Sequence, residues 1–202
     1  VNITPFTSGT PFRLYRLGAS GAVEVVGANL GIPAGSTIAA GTIDAAGTLY
    51  LKKLTNDAVI YKYSIGSGTA STLTINGGTG VNILDLALNP VDGFLYGVVT
   101  PGGVYRINAS SGATTLTGTP AAVAGDNSNL LGSAFFDVAG TLYAAQNGGT
   151  FGTVNLSTGA FTAQGAASSA AQTDGASCVF PDNRVDVVKS VSYTHLTLPT
   201  SD

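Results

Sequence analysis

Few side chains here are equipped for chemistry. Eleven carboxylates, eight Lys and Arg, one Cys and one His are spread over 202 residues, with no Trp and no Met. Asp85 stands out because it interrupts the apolar run Val81 to Leu88. An acid set into such a strand is either a functional group facing an internal channel or a residue solvated on the strand's polar side. Glycosidase chemistry needs two carboxylates within about 10 Å of each other, and the sequence identifies no partner for Asp85. The irregular stretch Gly118 to Asn129 holds a second set of polar groups, Asp126, Asn127 and Asn129, which a loop can present to a ligand.

The remaining candidates read as structure. Asp44, Asp92 and Asp137 lie beside Gly in turns, and no stretch has the Asp-x-Asp-x-Asp-Gly spacing of a calcium loop. Gly102-Gly103 and Gly148-Gly149 punctuate hairpins, because no helix follows for a phosphate to cap. Asn2, Asn108 and Asn155 begin Asn-x-Ser/Thr triplets, which a chain rich in Ser and Thr produces by chance. Cys178 has no second Cys to pair with in this chain, so it pairs outside it or is a small buried residue. No motif for a cofactor or a metal is found.

The elements that position these groups come from a repeat. Gly-x-Leu-Tyr occurs at Gly47, Gly93 and Gly140, in steps of 46 and 47 residues. Each copy follows an apolar residue and an Asx (Ile43-Asp44, Leu88-Asn89, Phe136-Asp137), the signature of a hairpin whose turn needs positive φ. A third strand follows, at Leu14 to Leu17, Ile60 to Ile65, Val104 to Ile107 and Phe151 to Leu156. Ser-Gly or Thr-Gly and a short β-rich run then close the unit. Four strands of about five residues fill the period and leave no room for a helix. The fold class predicted is all-β, a partial β-propeller of about four four-stranded blades, with a β-sandwich as the alternative. Units are expected at 38–75, 83–117 and 132–163, preceded by a blade whose first hairpin is missing or reduced to 1–7.

Composition narrows the function classes. Charged residues are only 9% and the formal net charge is −3, so the basic footprint of a nucleic-acid partner is absent. No uninterrupted apolar run approaches the roughly eighteen residues of a membrane helix. Sparse charge with abundant Thr, Ser, Asn and Gly suits secreted bacterial surface proteins better than cytosolic enzymes.

The phrase Leu86-Ala-Leu-Asn-Pro-Val-Asp-Gly-Phe-Leu-Tyr-Gly97, the unit-ending Val-Tyr-Arg-Ile-Asn108 and the closing Asp174-Gly-Ala-Ser-Cys178 resemble an uncharacterised propeller-like domain of bacterial secreted and surface proteins. The resemblance covers roughly residues 10 to 190. It implies an extracellular, multidomain setting and supplies no catalytic residue. In that family the domain is often followed by conserved-repeat immunoglobulin-like domains, whose opening strand is similar to Val185 to Ser190. The organisation expected is a partial propeller over 1–180, a linker and first strand of a following domain over 181–190, and a non-native tail over 191–202. Val191 to Asp202 resembles translated sequencing-adapter read-through, of the kind seen at broken ends of metagenomic genes. A dyad of Cys178 with His195, or a triad of Ser, His195 and Asp202, would then be built from primer sequence. An ordinary strand of the next domain is the other reading of that tail.

The function expected is a non-enzymatic binding or structural module of a secreted or cell-surface protein, with a protein or glycan ligand. Its competitor is a fragment of a propeller hydrolase or lyase whose catalytic residues lie on further blades. A quinone-dependent dehydrogenase is disfavoured by the lack of Trp, on which such enzymes often stack their cofactor.

Overall fold

The computed structural model describes residues 2–4, 12–99, 103–118, 129–170 and 173–176, and only the backbone of 2–4. Cys178, His195 and everything expected of 181–202 lie outside them.

Fifteen strands, β1 (Asn2–Thr4), β2 (Arg13–Leu17), β3 (Val23–Gly27), β4 (Ile38–Ile43), β5 (Thr48–Lys53), β6 (Val59–Ser64), β7 (Thr69–Thr74), β8 (Asp85–Leu88), β9 (Leu95–Val98), β10 (Val104–Ile107), β11 (Thr114–Thr117), β12 (Leu131–Phe136), β13 (Leu142–Gln146), β14 (Thr150–Val154) and β15 (Phe161–Ala166), form four antiparallel sheets. Each sheet is a consecutive meander: β1–β3, β4–β7, β8–β11 and β12–β15, called sheets one to four below. The first has three strands among the described residues. A single 3₁₀ turn at Asn76–Gly78 is the one helical element described.

The recurring turn chemistry is what the sequence predicts. Between the first two strands of each full sheet, an Asx carboxyl or amide oxygen accepts backbone N–H groups further along the turn. Asp44 takes Thr48, Asn89 takes Val91, Asp92 takes Phe94, and Asp137 takes Ala139 and Thr141. Gly47, Gly93 and Gly140 follow with φ of 78°, 72° and 83°, a region closed to most L-residues. The same device explains two of the glycosylation-like triplets. Asn108 Oδ1 accepts the N–H of Ser110 and Ser111, and Asn155 Oδ1 accepts those of Ser157 and Thr158.

Strand alternation gives each sheet two faces, one toward the preceding sheet and one toward the following sheet. Leu49, Leu51, Tyr61 and Tyr63 of sheet two pack with Phe12, Leu14 and Leu30 of the preceding unit. Tyr50 and Ile60, on its other side, pack with Ile83, Leu86, Leu88, Leu95 and Ile107 of sheet three. Tyr96, Val98 and Val104 of sheet three then meet Ala134, Phe136, Leu142 and Val154 of sheet four. Sheets two and three are therefore covered on both faces, which excludes a two-layer sandwich and gives the stacked blades of a propeller. The first strands β4, β8 and β12 line the inner side, where a cavity of about 390 Å³ opens.

Phe136 is 1% exposed and in edge contact with Tyr96 across a junction, with ring centroids 5.2 Å apart. Phe136→Ala is expected to lower unfolding free energy by about 3–5 kcal/mol, measured by urea denaturation, with one cooperative transition showing that the blades melt together.

Candidate functional site

Asp85, the acid singled out above, is fully buried, with a relative accessibility of 0%. It opens β8, and β8 alternates so that Leu86 and Leu88 face sheet two while Asp85 and Ala87 face sheet four. Its Oδ1 accepts the Leu86 N–H at 2.7 Å, and its Oδ2 accepts the Ala134 N–H at 2.6 Å. Such lengths suit amide donors to an acidic group. Ala134 belongs to β12, so this one side chain ties the inner strands of two blades together where no ladder joins them. The Gly175 N–H, from segment 173–176, donates to Asp174 Oδ1 at 3.0 Å. That segment passes close along β12: a Cβ added to Gly175 would come 2.9 Å from the Ala134 nitrogen.

This corrects the idea of a channel-lining or solvated acid at position 85. The cavity is walled instead by the length of β4, by Leu86 to Leu88, by Ala134 to Phe136 and by Asp174 to Ala176. Its lining is mostly small and aliphatic, with the exposed carboxylate of Asp174 at its edge. Four residues before the hairpin Asx, sheet two has Ala40 and sheet four has Ser133, both buried. The acid at this place in sheet three is thus a local departure from the repeat.

Burial pushes the Asp85 carboxyl well above the usual carboxylate range. The amides of Ala134, Leu86 and Gly175 pull the other way, and nearby Asp174 adds to the rise. Asn129, by contrast, is exposed in the turn that enters β12. Asp126 and Asn127 lie outside the described residues, so the loop set expected at 118–129 is represented by Asn129 alone. Nothing described brings Asn129 and Asp85 into contact.

Two arrangements are not evident in the sequence reading. Lys52, part of what reads as the densest basic cluster, is fully buried, and its Nζ donates to Asp57 at 2.5 Å and to the carbonyls of Thr55 at 2.9 Å and Lys53 at 3.4 Å. Burial lowers the Lys52 pKa, whereas Lys53 is raised chiefly by its hydrogen bond to the same Asp57. Burial alone would raise Asp57, yet the two lysines hold it below the ordinary range. Adjacent residues on a strand face opposite sides, so in a doubly covered sheet each member of a Lys-Lys pair meets a neighbouring sheet, Lys52 on the side of Tyr50 and Lys53 on that of Leu51. The second arrangement is the Tyr of the first two of these hairpins. Tyr50 donates to Asp44 at 3.1 Å and Tyr96 to Asp92 at 2.6 Å, while Lys62 lies over the Tyr50 ring and Arg106 over that of Phe94. Burial, with Asp44 beside it, pushes Tyr50 up to about 12.

Among the described residues no group of three or more His, Cys, Asp or Glu is placed to hold a metal ion. No helix among them is long and apolar enough to cross a membrane.

Asp85→Asn leaves one of the two N–H groups without an acceptor and is expected to cost about 1–3 kcal/mol of stability. The pH dependence has a definite sign. A raised carboxyl pKa means that the folded state favours the protonated form. Its stability contribution is full below the unfolded value and is lost as pH rises through the folded one. The stability difference between the parent chain and Asp85→Asn should therefore shrink from acid toward neutral pH, measured by urea denaturation at a series of pH values. A difference that grows with pH would reverse the assignment. Tyr50 behaves alike at the alkaline end: stability falls between about pH 10 and 12, and Tyr50→Phe should flatten that fall.

The geometry finds its counterparts among known proteins. A catalytically inactive virginiamycin B lyase from Staphylococcus aureus, solved with quinupristin, superposes with a TM-score of 0.54 at 16% identity, covering 86% of this chain and 57% of that one. A structural-genomics protein of unknown function from Bacteroides thetaiotaomicron superposes with a TM-score of 0.56 at 16% identity, covering 80% of this chain and 45% of that one. At such identities the likeness shows the fold alone, and this chain spans about half the length of either protein. Among curated proteins no sequence matches. A family described as "Repeat of unknown function (DUF6923)" matches residues 6–180, which is most of the sequence, and the chain belongs to that family.

Proposed function

We propose that this chain is a non-enzymatic binding or structural module of a secreted or cell-surface bacterial protein, a propeller platform for a protein or glycan ligand. The observation that carries the reading is the use made of Asp85. The acid that interrupts the inner strand has no exposure, and both its oxygens hold backbone N–H groups, so it joins blades and does not meet substrate. The cavity beside it offers aliphatic side chains and strand edges, which suits holding an apolar or neutral group better than moving protons. The charged groups are likewise engaged in structure. Among the described residues Arg16, Lys52, Lys53 and Arg106 pair with Glu24, Asp57 and Asp92, and the chain has only eight Lys and Arg, few for a nucleic-acid partner. A surface kept wet by Ser, Thr and Asn is in keeping with an extracellular setting.

The competing reading is part of a propeller hydrolase or lyase, completed by residues on other blades. One observation favours it: Asp174 stands at the cavity edge, and the next residue, Gly175, passes against the Ala134 nitrogen that donates to Asp85, so a second acid lies in the same neighbourhood. A glycan array probed with the chain, beside a broad hydrolase and lyase screen, separates the two. The expected outcome is saturable binding on the array that survives Asp174→Asn, with no turnover. Turnover that Asp174→Asn abolishes while leaving the melting temperature unchanged would establish the enzyme instead.

A further inference from the structure

We propose that Asn76 is a site of spontaneous deamidation, which puts a negative charge into the turn between sheets two and three, and that the fold shields Asn147 from the same reaction. The chain contains the phrase Asn-Gly-Gly-Thr twice, at Asn76 to Thr79 and at Asn147 to Thr150. Gly after Asn favours the reaction because it has no Cβ, so its nitrogen can swing against the preceding side chain. That nitrogen attacks Cγ of the Asn carboxamide. A C–N bond forms, the bond from Cγ to Nδ2 breaks, and the proton of the attacking nitrogen leaves with the side-chain nitrogen as ammonia. Water then opens the cyclic imide at one carbonyl or the other, giving aspartate or its isomer with the backbone routed through the side chain. The net change exchanges NH2 for OH and needs no reactant but water.

Two identical phrases share one intrinsic reactivity, and the structure treats them oppositely. Asn76 lies in the 3₁₀ turn that leaves β7 for β8, half-buried itself and followed by exposed Gly77, Gly78 and Thr79. A Cβ added at Gly77 or Gly78 would meet nothing within 4 Å, so the backbone there has open space in which to reorient. The hydrogen bonds that close this turn use the N–H groups of Gly78, to the Ile75 carbonyl, and of Thr79, to the Asn76 carbonyl, and leave out the Gly77 nitrogen. Among the described residues the Asn76 side chain makes one hydrogen bond, from Nδ2 to the Thr79 carbonyl at 3.2 Å.

Asn147 is 6% exposed and held from every side. Its Oδ1 accepts the Thr173 N–H at 3.2 Å and the Thr173 hydroxyl at 3.0 Å. Its backbone N–H donates to the Leu130 carbonyl, and its own carbonyl accepts from Ala170. Gly132 sits so close that a Cβ there would collide with both Asn147 Oδ1 and Thr173 Oγ1. The carboxamide cannot turn toward the Gly148 nitrogen without giving up bonds that a buried acceptor needs.

At Asn76 the change reaches the junction between two blades. A carboxylate has no N–H to offer, so it faces the Thr79 carbonyl without the bond that Nδ2 had made. The isomer also lengthens the backbone of a residue whose N–H donates to Thr114 Oγ1 of sheet three at 2.9 Å.

Peptide mapping by tandem mass spectrometry, on the 202-residue chain held in mildly alkaline buffer for increasing times, tests this. Asn76 should convert progressively to a mixture of aspartate and isoaspartate while Asn147 stays intact. In guanidinium chloride the two should convert at similar rates, because the fold alone distinguishes them. Gly77→Ala should slow conversion at Asn76 several-fold. Should that variant lose its circular dichroism spectrum, the parent chain compared folded and unfolded decides by itself. Equal rates at the two sites in the folded chain, or an Asn76 that converts only when unfolded, overturns the proposal. So does a difference that persists in guanidinium chloride, or a folded Gly77→Ala chain that converts as fast as the parent.

Discussion

Everything in this molecule depends on the burial of sheet faces against other sheets. A four-stranded meander of short strands has two sides, and in sheets two and three both are apolar. Neither sheet has a solvent side to fall back on, so neither can be stable by itself in water. The turns, the inner-strand positions and the aromatic residues serve that stacking. The three apolar clusters are not separate cores; they are the successive junctions of one stack. Polar contacts supplement them at the edges: Lys62 Nζ donates to the Ala109 carbonyl, and the Asn76 N–H to Thr114 Oγ1, both across the junction of sheets two and three.

Within this frame the polar groups inside the stack hold strands and loops in register. Lys52 has three donors and finds three acceptors within its own sheet's loop, an arrangement that satisfies an ammonium cut off from water. Asp57, the acid that receives it, also forms a backbone bridge to Val81 just before β8, so a charge pair inside one blade anchors the entry to the next. Asp85 does the corresponding work one junction further on.

The hairpins were legible in the sequence because their causes are local. Asx oxygens reach amides only two to four residues on, and Gly at positive φ sits in the same turn. The steps of 46 and 47 residues then converted three similar hairpins into blades, since like units stack on one another. Asp85 was legible as an anomaly but not as a clasp. Its second partner, Ala134, is 49 residues away on another sheet, and nothing in the local pattern of Val81 to Leu88 specifies it. Lys52 is hidden for a different reason: composition counts it only as a basic residue, whereas strand alternation in a sheet covered on both faces sets it on the side of Tyr50, against the next sheet. The aromatic stack of sheet four could be assembled only from the pairing register, which brings Phe135 and Tyr143 side by side and Phe151 diagonally across.

The same register shows that the copies of the repeat are not interchangeable. Where sheet two carries Ala40 opposite the inward Lys52, sheet three carries Asp85 opposite Val98, and sheet four carries Ser133 opposite Ala145. A nascent chain of near-identical units can shuffle its partners, pairing the second with the fourth and stranding the third. Unlike side chains at equivalent places penalise such mistakes, because an acid brought against the wrong neighbour finds no amide to receive it. The order of the units is thereby encoded in their mismatches, and the drift between repeats guards against tangled intermediates.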